Sequence, residues 1–256
     1  MSVVCKSFGS KFCKKIEIGL VIPPKHTHIF IMLHGYGGSI EEVDRLFPLE
    51  EYALKYQILI VVPELGNTFY LDRKDVDGKN NFVISRFLGE ELPAYLKKEF
   101  VTKEDAEVIL GGYSMGGFGA MLHGINSANN YEAIISVSGA FVATEIAFGS
   151  DFAVGTDKQR KEAFDVFMIK DGEVLVDDIK RNPEAAVRQI ENVKRLPKIV
   201  LTCAKEDVWY STTQRMRMEL MKRGILFDYY EIVGGGHDFK EFNQGFRFAF
   251  NVLFGE

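Results

Sequence analysis

In the run Val108-Ile109-Leu110-Gly111-Gly112-Tyr113-Ser114-Met115-Gly116-Gly117, three apolar residues lead through two glycines to a serine. The apolar residues read as a short strand buried on both sides, and Met115 through Leu122 begins a helix. Ser114 therefore stands on a tight strand-to-helix turn. Only small residues can flank so sharp a bend, and glycine stands two positions to either side of the serine.

The same strand-then-helix rhythm extends outward along the chain. Ile29 to Leu33, Ile58 to Val62, Ala133 to Val137 and Ile199 to Leu201 are continuous apolar runs rather than alternating ones. Strands of that kind are buried on both faces, as at the parallel centre of an α/β sheet. Apolar spacing of three and four predicts a helix from Phe82 through Leu96, and another from Met216 to Met221 that ends at Gly224. Val3 to Ile22 reads instead as an antiparallel edge hairpin turning near Gly9-Ser10 and stopped by Pro23-Pro24. About fifty residues from Phe141 to Pro197 separate two strand runs that one helix could join. An insert carrying Phe141, Phe148, Phe152, Phe164 and Phe167 is expected there, either as a cap or lid over the sheet end or as a long helical connection with its own small core. The expectation is a single domain over residues 1–256, with the insert at 141–197.

Composition narrows the function. The chain is 46% hydrophobic and 26% charged, as an average folded domain is, and its net charge is −5. The longest basic cluster is the pair Lys14-Lys15, so neither nucleic acid nor an anionic membrane is expected as a partner. A small molecule is. Met1 to Lys15 lacks the apolar run of a signal peptide, and Phe30 to Leu33 is too short to cross a bilayer, which predicts a soluble cytoplasmic protein. Cys5, Cys13 and Cys203 are too scattered for a zinc site; Cys5 and Cys13 could meet across the hairpin, but reduced thiols are expected. Asp75, Asp77 and Gly78 faintly suggest a calcium loop, yet Arg73 and Ile84 stand where such a loop needs oxygen ligands. No glycine-rich phosphate loop is present, and no cofactor or metal is expected.

A serine hydroxyl attacks a carbonyl only when a base takes its proton and a third group orients that base. After an elbow serine, the order along the chain is acid and then histidine. His237 follows the apolar run Phe227 to Val233 and the turn Gly234-Gly235-Gly236, on a loop after the last strand. His26 and His28 precede a strand and belong at its wrong end, while His123 lies about two and a half helical turns beyond Ser114. Asp207 follows the strand Ile199 to Leu201 and is the candidate acid; Glu206 beside it is the rival, and only one can face the histidine. His34-Gly35-Tyr36-Gly37-Gly38 directly follows another strand and matches a loop whose backbone binds an oxyanion. The amides of Tyr36 and Met115 are the expected donors.

Together these segments resemble the esterase branch of the α/β-hydrolases, which includes esterase D (S-formylglutathione hydrolase), tributyrin esterases and feruloyl esterases. The resemblance rests on residues 34–38, Asn67-Thr68-Phe69-Tyr70-Leu71-Asp72, residues 112–117, Ser138-Gly139-Ala140, Asp207 and Gly236-His237-Asp238-Phe239. It implies an α/β-hydrolase fold, a mostly parallel sheet with helices on both faces, and a serine carboxylesterase acting on small short-chain acyl esters. Feruloyl, acetyl-xylan or S-formylglutathione substrates are the alternatives within the branch. A peptidase, an acyltransferase and a catalytically silent binding module remain as rivals on the same scaffold. His34, Tyr70, Phe141, Trp209 and Tyr210 are expected to line the substrate pocket, and self-association into a homo-oligomer is left open.

Overall fold

The computed structural model describes residues 3–74, 81–100, 107–148, 156–167, 174–192 and 195–255. Its amino-terminal hairpin is β1 (Val4–Ser10) and β2 (Lys14–Val21). Gly9 stays in the ladder opposite Lys15, so the turn falls at Lys11 to Cys13, later than the glycine suggested. Ser10 moves it: the serine hydroxyl accepts the backbone N–H of Phe12 at 3.0 Å and of Cys13 at 2.9 Å, closing the turn locally. Cys5 faces Gly19 in this register and is exposed, Cys13 is buried, and all three cysteines are free thiols.

Next come β3 (His28–Leu33), α1 (Ile40–Leu46), α2 (Leu49–Tyr56) and β4 (Ile58–Pro63). A two-residue pair, β5 (Arg73–Lys74) and β6 (Asn81–Phe82), then takes Phe82 out of the helix predicted from its spacing. That helix is α3 (Ile84–Arg86) and α4 (Leu92–Phe100), joined by a π-helical turn at Phe87–Glu91. The hydroxyl of Tyr131 donates to the Leu88 carbonyl and the amide of Asn130 to the Gly89 carbonyl, and a wide turn lets those carbonyls tilt outward to meet them. The chain continues through β7 (Glu107–Tyr113), α5 (Met115–Asn126), β8 (Ala133–Val137), α6 (Ala143–Ala147), α7 (Asp157–Phe167) and α8 (Pro183–Arg188). It ends with β9 (Lys198–Ala204), α9 (Tyr210–Lys222), β10 (Asp228–Ile232) and α10 (Phe239–Phe254).

Among the described residues, eight strands form one sheet in the order β1-β2-β4-β3-β7-β8-β9-β10, parallel from β4 to β10. Alternate side chains of each central strand point to opposite faces, and both faces are covered. Ile29, Ile31 and Leu110 pack with Phe118, Met121 and Leu122 of α5; Phe30, Met32 and Ile109 pack with Tyr52, Phe246 and Phe250 under α2 and α10. At about 1.5–3 kcal/mol for each fully buried large apolar side chain, this double layer is what holds the strands in register. Parallel strands also bring their carboxyl ends to one edge. The loops after β3, β7, β8, β9 and β10 therefore converge there, where such folds build their sites.

Among the described residues, three helices, α6, α7 and α8, occupy the stretch between β8 and β9. Phe141 and Phe167 are buried and Phe164 is partly so, but Phe148 is 74% exposed rather than packed over the sheet, and Phe152 lies outside the described residues. Asp75, Asp77 and Gly78 lie outside them too. A charged cluster crosses this region: Arg215 on α9 binds Glu184 at 2.7 Å, pairs with Glu145 and donates to the Phe141 carbonyl at 2.8 Å. Burial pushes the Glu184 carboxyl above its ordinary range despite that arginine. Among the described residues no helix is long and apolar enough to cross a membrane.

Candidate active site

Close backbone packing forces the turn at Ser114. A side chain on Gly112 would stand 2.5 Å from the backbone of Gly116, and one on Gly116 would stand 2.0 Å from the Leu33 carbonyl oxygen. Ser114 itself is held at φ 55°, ψ −119°, a conformation that costs a non-glycine residue about 1–3 kcal/mol. Surrounding hydrogen bonds hold it there. Its N–H donates to Val137 O at 3.0 Å, and its carbonyl accepts from Phe118 at 3.2 Å and Ala140 at 3.0 Å.

His237 reaches this serine from the loop after β10. Gly234 and Gly235 take φ of 71° and 74°, turning the chain back over the sheet edge. Asp238 then caps α10, accepting the N–H of Lys240 at 2.9 Å, so the histidine sits immediately before a fixed helix end. Its Nε2 is 2.9 Å from Ser114 Oγ, and its Nδ1 is 2.9 and 3.1 Å from the two oxygens of Asp207. With the ring proton on Nδ1, the imidazole donates to the carboxylate and accepts from the serine hydroxyl. The Asp207 side chain is fully buried, and the backbone N–H of Trp209 donates to it at 2.7 Å. Glu206, in the turn after β9, is exposed.

The loop after β3 lies against the serine. A side chain on Gly35 would meet the Tyr113 ring at 2.7 Å and Ser114 Cβ at 3.5 Å. Gly38 N–H donates to Gly35 O at 3.1 Å, and Gly37 N–H to Asn67 Oδ1 at 2.6 Å. Tyr36 is thus pinned between two tied glycines, while Met115 opens α5 directly after the serine.

The expected pocket residues divide. His34 and Tyr70 are fully enclosed, with no surface for a ligand. The His34 ring binds Gly35 O at 2.8 Å, burial lowers its pKa, and the Tyr70 hydroxyl donates to His34 O at 2.8 Å. They support the loop instead. Phe141 is likewise buried, with its ring against Gly139. Trp209 stands edge-on to His237 at 6.3 Å, and Tyr210 turns away to donate to Glu231 at 2.6 Å. Phe69 and Tyr70 both adopt left-handed backbone, at φ 47° and 56°, in the wall next to the loop. Of the remaining histidines, His123 is buried and bonded to Tyr70 O at 2.7 Å, and His26 and His28 bind Phe100 O and Glu107 at the other end of the sheet. A half-open cleft of about 220 Å³ near Ile125, Asn126 and Arg195 lies about three helical turns from Ser114.

Sequence reading missed several neighbours of the loop. Asn67 was legible only as part of a segment and Phe167 only as one phenylalanine of the insert, whereas Phe118 and Glu162 carried no signal. Phe69, Phe118 and Phe167 meet edge to face at 5.0 to 5.7 Å, and the Tyr36 hydroxyl donates to the Glu162 carboxylate.

Known proteins match the chain along its length. The esterase family model described as "Putative esterase" matches residues 14–251. An acetyl esterase of Caldicellulosiruptor saccharolyticus is 26% identical, over 99% of this chain and 98% of that protein. Among solved structures, fluorophosphonate-binding serine hydrolase F of Staphylococcus aureus superposes with a TM-score of 0.81 at 16% identity, covering 100% of this chain and 99% of that one. An S-formylglutathione hydrolase from Agrobacterium tumefaciens gives 0.75 at 15% identity, covering 99% of each. At such identities the structural likenesses show the α/β-hydrolase fold.

Proposed function

The chain belongs to the esterase family, and from that premise we propose that it hydrolyses small short-chain acyl esters through Ser114, His237 and Asp207. The observation that carries this reading is the unbroken hydrogen-bonded chain from Ser114 Oγ through His237 to a buried carboxylate. Ser114 Oγ bonds to the ester carbonyl carbon as its proton passes to His237 Nε2. Asp207 stabilises the resulting imidazolium and fixes its tautomer. The negative oxygen is received by the amides of Tyr36 and Met115. Collapse expels the alcohol, which takes the proton from Nε2. Water then attacks the acyl-serine, giving its proton to the same nitrogen, and the acid leaves as the serine is restored.

Short acyl groups are favoured by what surrounds the serine. The rings of Phe69, Phe118 and Phe167 are packed on one another, and Phe141 is buried in the same apolar cluster as Met115, the residue after the serine. A long chain gains about 0.8 kcal/mol per buried methylene only where an open apolar channel exists. The acetyl esterase relative supports the same choice. The stretch between β8 and β9 acts in this reading as a cap that walls the acyl side. The test is kcat/KM for p-nitrophenyl esters of two to twelve carbons, with methyl ferulate alongside. The expected maximum lies at two to four carbons; a maximum at eight or longer would overturn the short-acyl reading, and faster turnover of methyl ferulate would replace it with an aromatic acyl group. Ser114→Ala is expected to abolish turnover, leaving less than about one-thousandth of the parent rate.

A further inference from the structure

We infer that Glu162, on helix α7, is a positioning residue that latches the oxyanion loop through the side chain of Tyr36. The inference rests on the reading above, in which the Tyr36 amide receives the negative oxygen. Only part of that loop is held by its own neighbourhood. Asn67 fixes Gly37 from one side, and Gly35 abuts Ser114 on the other. Between them the Tyr36 side chain packs partly buried against the core, 6.2 Å from the Phe69 ring, and its hydroxyl donates to Glu162 Oε2 across 126 residues of sequence. Burial, and then the hydrogen bond to Glu162, raise the Tyr36 pKa against a smaller opposing hydrogen bond from the Asn67 side chain, so the phenol keeps the proton it donates. Lys158, one turn earlier, lies 3.8 Å from the other Glu162 oxygen and is 86% exposed, too solvated to compete strongly.

Helix α7 offers a firm anchor for such a latch. Ala163 and Phe167, four residues apart, form its buried face. The Phe167 ring packs against Phe118 of α5, whose N–H in turn binds the Ser114 carbonyl. Arg181 donates to the carbonyls of Val166 and Phe167 at 2.7 and 3.2 Å, tying down the carboxyl end of the helix. One helix therefore touches both sources of the oxyanion amides: the serine helix through Phe167 and the loop through Glu162. Because the Tyr36 N–H must point at a charge that exists only in the transition state, loosening the loop should lower turnover more than substrate binding.

The experiment compares Glu162→Ala, Glu162→Gln, Tyr36→Phe and the double variant Tyr36→Phe/Glu162→Ala, using p-nitrophenyl acetate and thermal unfolding. Glu162→Ala and Tyr36→Phe should each lower kcat roughly tenfold, short of the roughly 10²–10³ lost when an oxyanion donor is removed outright. KM should stay within about twofold in both. Gln keeps the acceptor oxygen and should retain at least about half the parent kcat. The double variant should match Tyr36→Phe to within about twofold, because Tyr36→Phe already removes the bond to Glu162. If Glu162→Ala unfolds early, Tyr36→Phe and Glu162→Gln carry the test alone. Parental kcat in Tyr36→Phe, losses confined to KM, or losses that multiply in the double variant would each overturn the latch. An active Ser114→Ala would instead sink the catalytic reading beneath it.

Discussion

Asp207 holds His237 with both carboxylate oxygens, at 2.9 and 3.1 Å from one ring nitrogen, and does so from a fully buried position. A buried carboxylate, held in place here by the Trp209 backbone N–H, orients the imidazole strongly, since water offers it no alternative. The opposite ring nitrogen is thereby aimed at Ser114.

Replacing Asp207 by Asn should lower kcat by about 10⁴, because the amide can hold the imidazole in the wrong tautomer. Glu206→Gln should leave kcat within about twofold, since an exposed side chain adjusts freely. Steady-state kinetics on one short ester decides the matter; equal losses would remove Asp207 from its role.

Ser114→Gly should be inactive and yet more stable than the parent. The serine sits at φ 55°, where glycine has no Cβ to strain, and release of that strain is worth about 1 kcal/mol or more. Ser114→Ala keeps the Cβ and should unfold close to the parental temperature. Urea denaturation of the three proteins would test the ordering, and a destabilised Ser114→Gly would contradict it.

Acid should weaken the fold partly through buried histidines. Burial lowers the pKa of both His34 and His123 below the ordinary 6.5. The unfolded chain then binds protons before the folded one does. Stability from these rings is thus complete above about pH 6.5 and declines as pH falls from there through their lowered folded values. His123→Gln can still donate to the Tyr70 carbonyl but cannot titrate. Its urea midpoint should fall less than the parent's between about pH 7 and about pH 5. An unchanged pH slope would show that His123 contributes nothing to it.

Much of the architecture was legible because it depends on local composition. Buried parallel strands must be short and continuously apolar, so five central runs could be read with errors only at their ends. The helix expected from Phe82 failed for a nonlocal reason: Asn130 and Tyr131 draw out the carbonyls of the Leu88 turn, and Phe82 pairs with Arg73. Pocket membership was harder still. His34 and Tyr70 look like ligand-facing residues by their place in the motif, yet their polar ends are spent on the loop they support.

From the sequence alone, the strained serine turn, the chain order of Ser114, Asp207 and His237, and the α/β layering could be determined. Each follows from neighbours along the chain: glycine where a Cβ would collide, apolar residues where both sheet faces are covered, and loops after strand ends. Tertiary structure alone decided that Asp207 rather than Glu206 faces the histidine, and that Glu162 reaches Tyr36. Those outcomes depend on the angle at which a loop leaves its strand and on how a helix from the β8–β9 stretch docks 126 residues away. No local pattern encodes such a meeting, because its free energy exists only once both surfaces have been packed.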